Sequence, residues 1–194
     1  MSDRKIRTNT TTITQIAFFA ALQCVVSPFS MVFPFSPVPI SLATLMLYLS
    51  AYILGKNKSV ISCGIYLLIG AVGMPVFSGF TGGIGKVLGP TGGYMLGYLF
   101  LVWISSFFIE RWSVRGRNRK AVSYLMQGVG MVMGTMVCYL CGSFWLAYQS
   151  QMSIGAALIA GVIPFIPGDI VKIIIGMFLG STIRKRLLRV GMIE

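Results

Sequence analysis

The sequence predicts an all-α integral membrane protein with six transmembrane helices, both termini cytoplasmic, and a ligand pocket near the outer face. Three observations carry this expectation. Of 194 residues, 56% are hydrophobic and only 10% charged, against roughly 25% charged in soluble domains. The charges fall in short clusters between long apolar runs. Those clusters are basic, with 16 Lys+Arg against 4 Asp+Glu for a net charge of +12. A basic face for nucleic acid would run along one surface, whereas these cations punctuate hydrophobic segments, as at the cytoplasmic edges of membrane spans next to anionic lipid. No repeat, linker or composition break divides residues 1–194, which are read as one transmembrane domain.

Taken in order, helix 1 is expected over about Ile13–Val32 and helix 2 over Ile40–Leu54. Helix 3 is placed at Val60–Val72, and helix 4 from Gly92 or Tyr94 to Ile109. Helix 5 spans about Val122–Ala147 and helix 6 Asp169–Ile183. A full crossing needs about 20 residues. Helices 2, 3 and 6 are shorter, so irregular chain beside them dips into the membrane, which is tolerated only when buried in protein or lining a cavity. With the N-terminus inside, every Lys and Arg except Lys86 and Lys172 falls on an inner segment. The outer loops, residues 33–39, 73–91 and 148–168, hold only Lys86, as the positive-inside rule requires. No small-residue cleavage site follows helix 1, where Pro28 near its end and Pro34 beyond it stand instead, so it is read as a retained span.

Several functions are disfavoured by what the chain lacks. It has no histidine, no paired carboxylates and no G-x-S-x-G elbow, so acid–base and nucleophilic catalysis have no constellation to use. Gly79–Gly89, GFTGGIGKVLG, departs from the phosphate loop because Phe80 stands where the first glycine belongs and Val87 where the Ser/Thr belongs. Cys138 and Cys141 form a C-x-x-C, but without histidine or a second pair they are read as packing residues, like Cys24 and Cys63, and no metal or cofactor is expected.

The outer half carries the functional signal. The first outer loop gathers Phe29, Phe33, Pro34, Phe35, Pro37 and Pro39, either a stiff apolar lid or an interfacial belt. In Pro164-Phe-Ile-Pro167-Gly168-Asp169-Ile-Val-Lys172, Asp169 lies 15 residues from Arg184. That is about 22 Å along a helix, below the outer headgroups of a roughly 30 Å core. Asp169 is expected as the N-cap of helix 6, with Lys172 on the same face three residues on. A local ion pair at a capped helix start would look the same, but charge at membrane depth is costly, and ligand contact is the reading taken. In Gly89-Pro-Thr91-Gly92-Gly93-Tyr94, the glycines allow close backbone approach to a ligand and Tyr94 offers a ring and a hydroxyl. Gly93/Gly97, Gly130/Gly134 and Gly176/Gly180 also fit G-x-x-x-G helix packing.

Together, GMPVFSGFTGG (Gly73–Gly83), GPTGGYMLGY (Gly89–Tyr98) and IPFIPGDIVK (Ile163–Lys172) resemble the BioY family, the biotin-specific S components of energy-coupling factor transporters. The resemblance spans nearly the whole chain. It implies a membrane subunit that binds extracellular biotin and associates with a membrane coupling (T) subunit and two cytoplasmic ATPases. By the same resemblance, Asp169 and Lys172 would meet polar atoms of biotin, with Thr91, Gly92, Gly93 and Tyr94 nearby. Phe35 and Phe77, from the first and second outer loops, would cover its apolar middle. Ala17 and Ala21, an A-x-x-x-A in helix 1, would receive the coupling subunit. An S-type subunit for another small vitamin and a stand-alone secondary carrier remain open, and no motif assigns a role to Lys86.

Overall fold

In the computed structural model, which describes residues 10–31, 38–115 and 120–190, the chain folds into helices with one two-residue β-ladder. α1 is Thr10–Val26, α2 Ala43–Leu54, α3 Lys56–Ala71, α4 Ile84–Val87, α5 Gly92–Arg115, α6 Lys120–Gln149, α7 Ile154–Gly161 and α8 Ile166–Arg189; β1 is Ser30–Met31 and β2 Ile40–Ser41. Among the described residues, three stretches are long and apolar enough to cross a bilayer by length and composition: Gly92–Ser113, Ala121–Gln149 and Ile154–Arg189. α1 and α2 are shorter apolar helices. The protein is an integral membrane protein.

The boundaries depart from expectation where local chemistry outweighs hydropathy. Helix 1 was expected to reach Val32, but α1 ends at Val26, because Pro28 pushes the residue before it out of the helical region. Ser30–Met31 instead pair antiparallel with Ile40–Ser41, Ser30 opposite Ser41. Helix 2 accordingly starts at Ala43 rather than Ile40. The basic connector at Glu110–Ala121 is helical over much of its length, since α5 runs to Arg115 and α6 begins at Lys120; Arg, Lys and Glu are good helix formers. The segment 148–168, expected as a loop, contains α7, capped by Ser153, whose hydroxyl accepts from Ala156 N at 3.3 Å. Helix 6 starts earlier than expected, at Ile166, with Pro167 in its first turn, where proline's missing N–H costs nothing.

α2 is the centre of the fold. It is apolar around most of its circumference, the pattern of a helix buried on all sides. Leu47, Tyr48, Ala51 and Tyr52 are at most 1% exposed. α5 and α6 pack along one another through the glycines read as packing residues. A Cβ on Gly93 would lie 2.6 Å from the Cys141 carbonyl, and one on Gly130 within 2.2 Å of Phe108. Gly176 and Gly180 of α8 likewise let Tyr48 and Tyr52 lie against the helix backbone. A second, smaller core gathers Tyr66, Val76, Phe77 and Met95.

At the end of the bundle carrying the basic residues, α3 begins at Lys56, whose amide donates to Glu110 Oε1 at 2.7 Å. Arg184 donates to the Tyr52 carbonyl at 2.6 Å, satisfying one of the orphan carbonyls that end α2.

Candidate functional site

A cavity lies between α2, α5, α6 and α8, walled by Tyr94, Tyr98, Thr135, Tyr139, Asp169 and Lys172, with Val38, Pro39, Ser41 and Thr44 contributed by the chain entering α2. The empty space between these walls, open mouth included, is about 420 Å³. Leu101 and Phe165 add apolar surface.

The polar centre is the pair predicted from sequence. Lys172 Nζ donates to Asp169 Oδ1 at 2.9 Å, with Asp169 6% and Lys172 8% exposed. Asp169 is not an N-cap. It sits inside the first turn of α8, and Phe165 holds the cap position. Pro167 and Gly168 join the helix rather than breaking it, which moves Asp169 one turn inward. There the positive end of the helix dipole favours its carboxylate. Two further donors converge on it from other helices: Tyr139 O–H of α6 to Oδ2 at 2.5 Å, and Thr44 O–H of α2 to Oδ1 at 3.4 Å.

This leaves definite capacity for a ligand. An ammonium has three N–H donors and a carboxylate about four acceptor positions. Among the described residues, Lys172 uses one donor and Asp169 three acceptor positions, so the pair offers donors and an acceptor side by side. That suits a group carrying a carbonyl oxygen next to an N–H, set against the rings of Tyr94, Tyr98 and Phe165.

The other sequence candidates separate by position. Tyr94 reaches the cavity with its ring, but its hydroxyl is engaged, donating to Gly161 O at the end of α7 at 2.8 Å. The ring lies against Gly142 of α6, where a Cβ would come within 2.3 Å of it. Gly92 and Gly93 do not line the cavity. They are contact points for Val87, Trp145 and Cys141, so their lack of a side chain serves helix packing. Thr91 is buried behind them, 7% exposed, and is likewise absent from the wall. Phe77 is fully buried in the second core, edge-to-face with Tyr66 at 5.6 Å, so it does not cover the cavity. Phe35 lies outside the described residues. Ala17 and Ala21 are both exposed on α1. Lys86 sits on α4.

Sequence reasoning missed Thr44, Tyr98, Thr135 and Tyr139. Helical spacing groups Tyr98, Thr135 and Tyr139 with their neighbours on one face, but carries no signal for Thr44. Tyr98 and Leu101 follow Tyr94 at i+4 and i+7, and Thr135 and Tyr139 stand four apart, each set on one helix face. Cys138, read as packing, is free and buried and also touches the cavity. No group of three or more metal-ligating residues occurs among the described residues.

Comparison with known proteins agrees with this architecture. A family model described as the BioY family matches residues 1–189. A probable biotin transporter BioY of Pyrococcus horikoshii is 38% identical over 160 residues, covering 82% of this chain and 88% of that protein. The biotin transporter BioY of Thermotoga maritima is 32% identical over 152 residues, covering 78% and 84%. The crystal structure of the S-component for biotin from an ECF-type ABC transporter superposes with a TM-score of 0.79, at 28% identity over 90% of each chain.

Proposed function

The chain belongs to the BioY family, and we propose that it takes up biotin as the substrate-specific subunit of an energy-coupling factor transporter. The observation that carries this reading is the buried Asp169–Lys172 pair on the cavity wall, 2.9 Å apart. Biotin's ureido group presents an oxygen beside N–H donors. Asp169 accepts an N–H and Lys172 donates to a ligand oxygen, while Tyr98, Leu101 and Phe165 pack against the apolar fused ring.

The same reading fixes orientation. α8 carries Asp169 in its first turn and Arg186 and Arg189 in its last, about 25–30 Å away at 1.5 Å per residue. The basic end faces the cytoplasm by the positive-inside rule, so the cavity belongs to the outer half and the six longer helices, α1, α2, α3, α5, α6 and α8, form the spans. The exposed Ala17 and Ala21 lie four residues apart, a spacing that lets a partner helix approach closely; this is the docking face for the coupling subunit. ATP hydrolysis belongs to two cytoplasmic partner subunits, since Gly79–Gly89 lacks the residues of a phosphate loop.

Uptake of labelled biotin tests the reading in cells without a biotin transporter of their own. Cells producing the chain with a coupling subunit and ATPases accumulate biotin. Ala17→Trp abolishes uptake while purified protein still binds biotin. Absence of uptake with all partners present would sink the proposal, and loss of binding in Ala17→Trp would remove the docking role.

A further inference from the structure

Three helices converge on the Asp169 carboxylate, and they do so unequally. Lys172 stands three residues away on the same helix, so its 2.9 Å bond moves with α8 and cannot fix the carboxylate against the opposite wall. Thr44 reaches Oδ1 from α2 over a long 3.4 Å. Tyr139 reaches Oδ2 from α6 at 2.5 Å, the short range of a hydroxyl bonded to an anion. Its proton is spent on Asp169, so it does not serve the ligand as a donor. Oδ1 already accepts two bonds, and the acceptor position left for a ligand is therefore on Oδ2, the atom Tyr139 holds.

From this geometry, and resting on the reading that biotin occupies this cavity, we propose that Tyr139 is a positioning residue: its hydroxyl ties the Asp169 carboxylate to α6 and aims the remaining Oδ2 lone pair at the ligand N–H. Its contribution to affinity passes through Asp169. Removing the hydroxyl leaves the carboxylate to turn about its own side-chain torsions, held only by Lys172 and the long Thr44 bond, and the ligand's N–H loses its aligned acceptor.

Equilibrium binding of labelled biotin to biotin-free, detergent-solubilised full chain tests this in a double-mutant cycle. Tyr139→Phe keeps the ring and weakens biotin binding about tenfold, the loss expected for a hydrogen bond to a charged group. In an Asp169→Ala background the same substitution weakens binding less than about threefold, because no carboxylate remains to be aimed. Thr44→Val, which removes the longer donor to the same carboxylate, shows the same dependence on Asp169 with a smaller loss. A merely structural tyrosine would cost the same factor in both backgrounds. Equal losses with and without Asp169, for either substitution, would overturn the positioning role while leaving biotin as the ligand. Failure of the parent chain to bind biotin at all would overturn both.

Discussion

Removing Lys172 should damage the protein more than removing both members of its ion pair. Both side chains are about nine-tenths buried, 10% and 8% exposed for Lys172 and Asp169, with Nζ and Oδ1 2.9 Å apart, so solvent screens them little. In Lys172→Met the carboxylate keeps only two neutral partners, the hydroxyls of Tyr139 and Thr44. Stripping one partner from a buried pair costs about 3–5 kcal/mol, because the remaining charge is uncompensated. For a chain of this length each kcal/mol moves the melting temperature by about 2–4 °C, so a fall on the order of 10 °C is expected. The double variant Asp169→Asn/Lys172→Met carries no buried charge and keeps a carboxamide to meet Tyr139 and Thr44; it should recover most of the loss. Thermal unfolding of biotin-free protein in detergent, followed by tryptophan fluorescence, reads the difference. A Lys172→Met melting temperature within about 2 °C of the parent would count against an uncompensated buried charge. So would a double variant as unstable as the single one, since the cost would then lie in packing rather than charge.

Two further predictions address packing beside the site and a helix start at the basic end of the bundle. Gly142→Val drives a side chain into the ring of Tyr94, which lies within 2.3 Å of the position a Cβ would take. Overpacking of this kind costs about 1–3 kcal/mol, so the variant melts lower and binds biotin more weakly as the ring and α7 shift, whereas normal binding would show that Tyr94 is not needed where it stands. Glu110→Ala removes the carboxylate that accepts from Lys56 N at 2.7 Å and costs about 0.5–2 kcal/mol, as loss of a helix cap does. Glu110→Gln keeps an acceptor and retains most of the stability; equal losses in the two variants, measured by the same melt, would argue against the cap.

How much of this was readable in advance depends on the range of the interaction. The six longer helices and the charge asymmetry were legible because hydropathy and basic clusters are local properties of the chain. So was the Asp169–Lys172 pair, two charges three residues apart in an otherwise apolar helix. The stop of α1 at Val26 was legible in principle from Pro28, and α7 from Ser153 ahead of an apolar run. Hydropathy outweighed both signals, and the start of α8 was misplaced because Pro167-Gly168 reads as a break although proline is tolerated in a first turn. Other features were not local. That Gly92 lies against Val87, and Gly93 against Trp145 and Cys141, depends on which elements face them. Phe77 looked like any outer-loop aromatic until Tyr66 and Met95 closed around it. Tyr139 and Thr44 meet Asp169 across 30 and 125 residues of sequence, a contact that spacing on any single helix cannot reveal.

The proposed biotin site is the buried Asp169–Lys172 pair. Its most direct test is a calorimetric biotin titration of the parent and of the Asp169→Asn/Lys172→Met variant, both grown without biotin, solubilised in detergent and shown to be folded. Saturable one-site binding by the parent is expected, with a loss of at least about a hundredfold in the variant, which lacks both charged contacts. Parent-like affinity in the folded variant would contradict it and place biotin elsewhere on the protein.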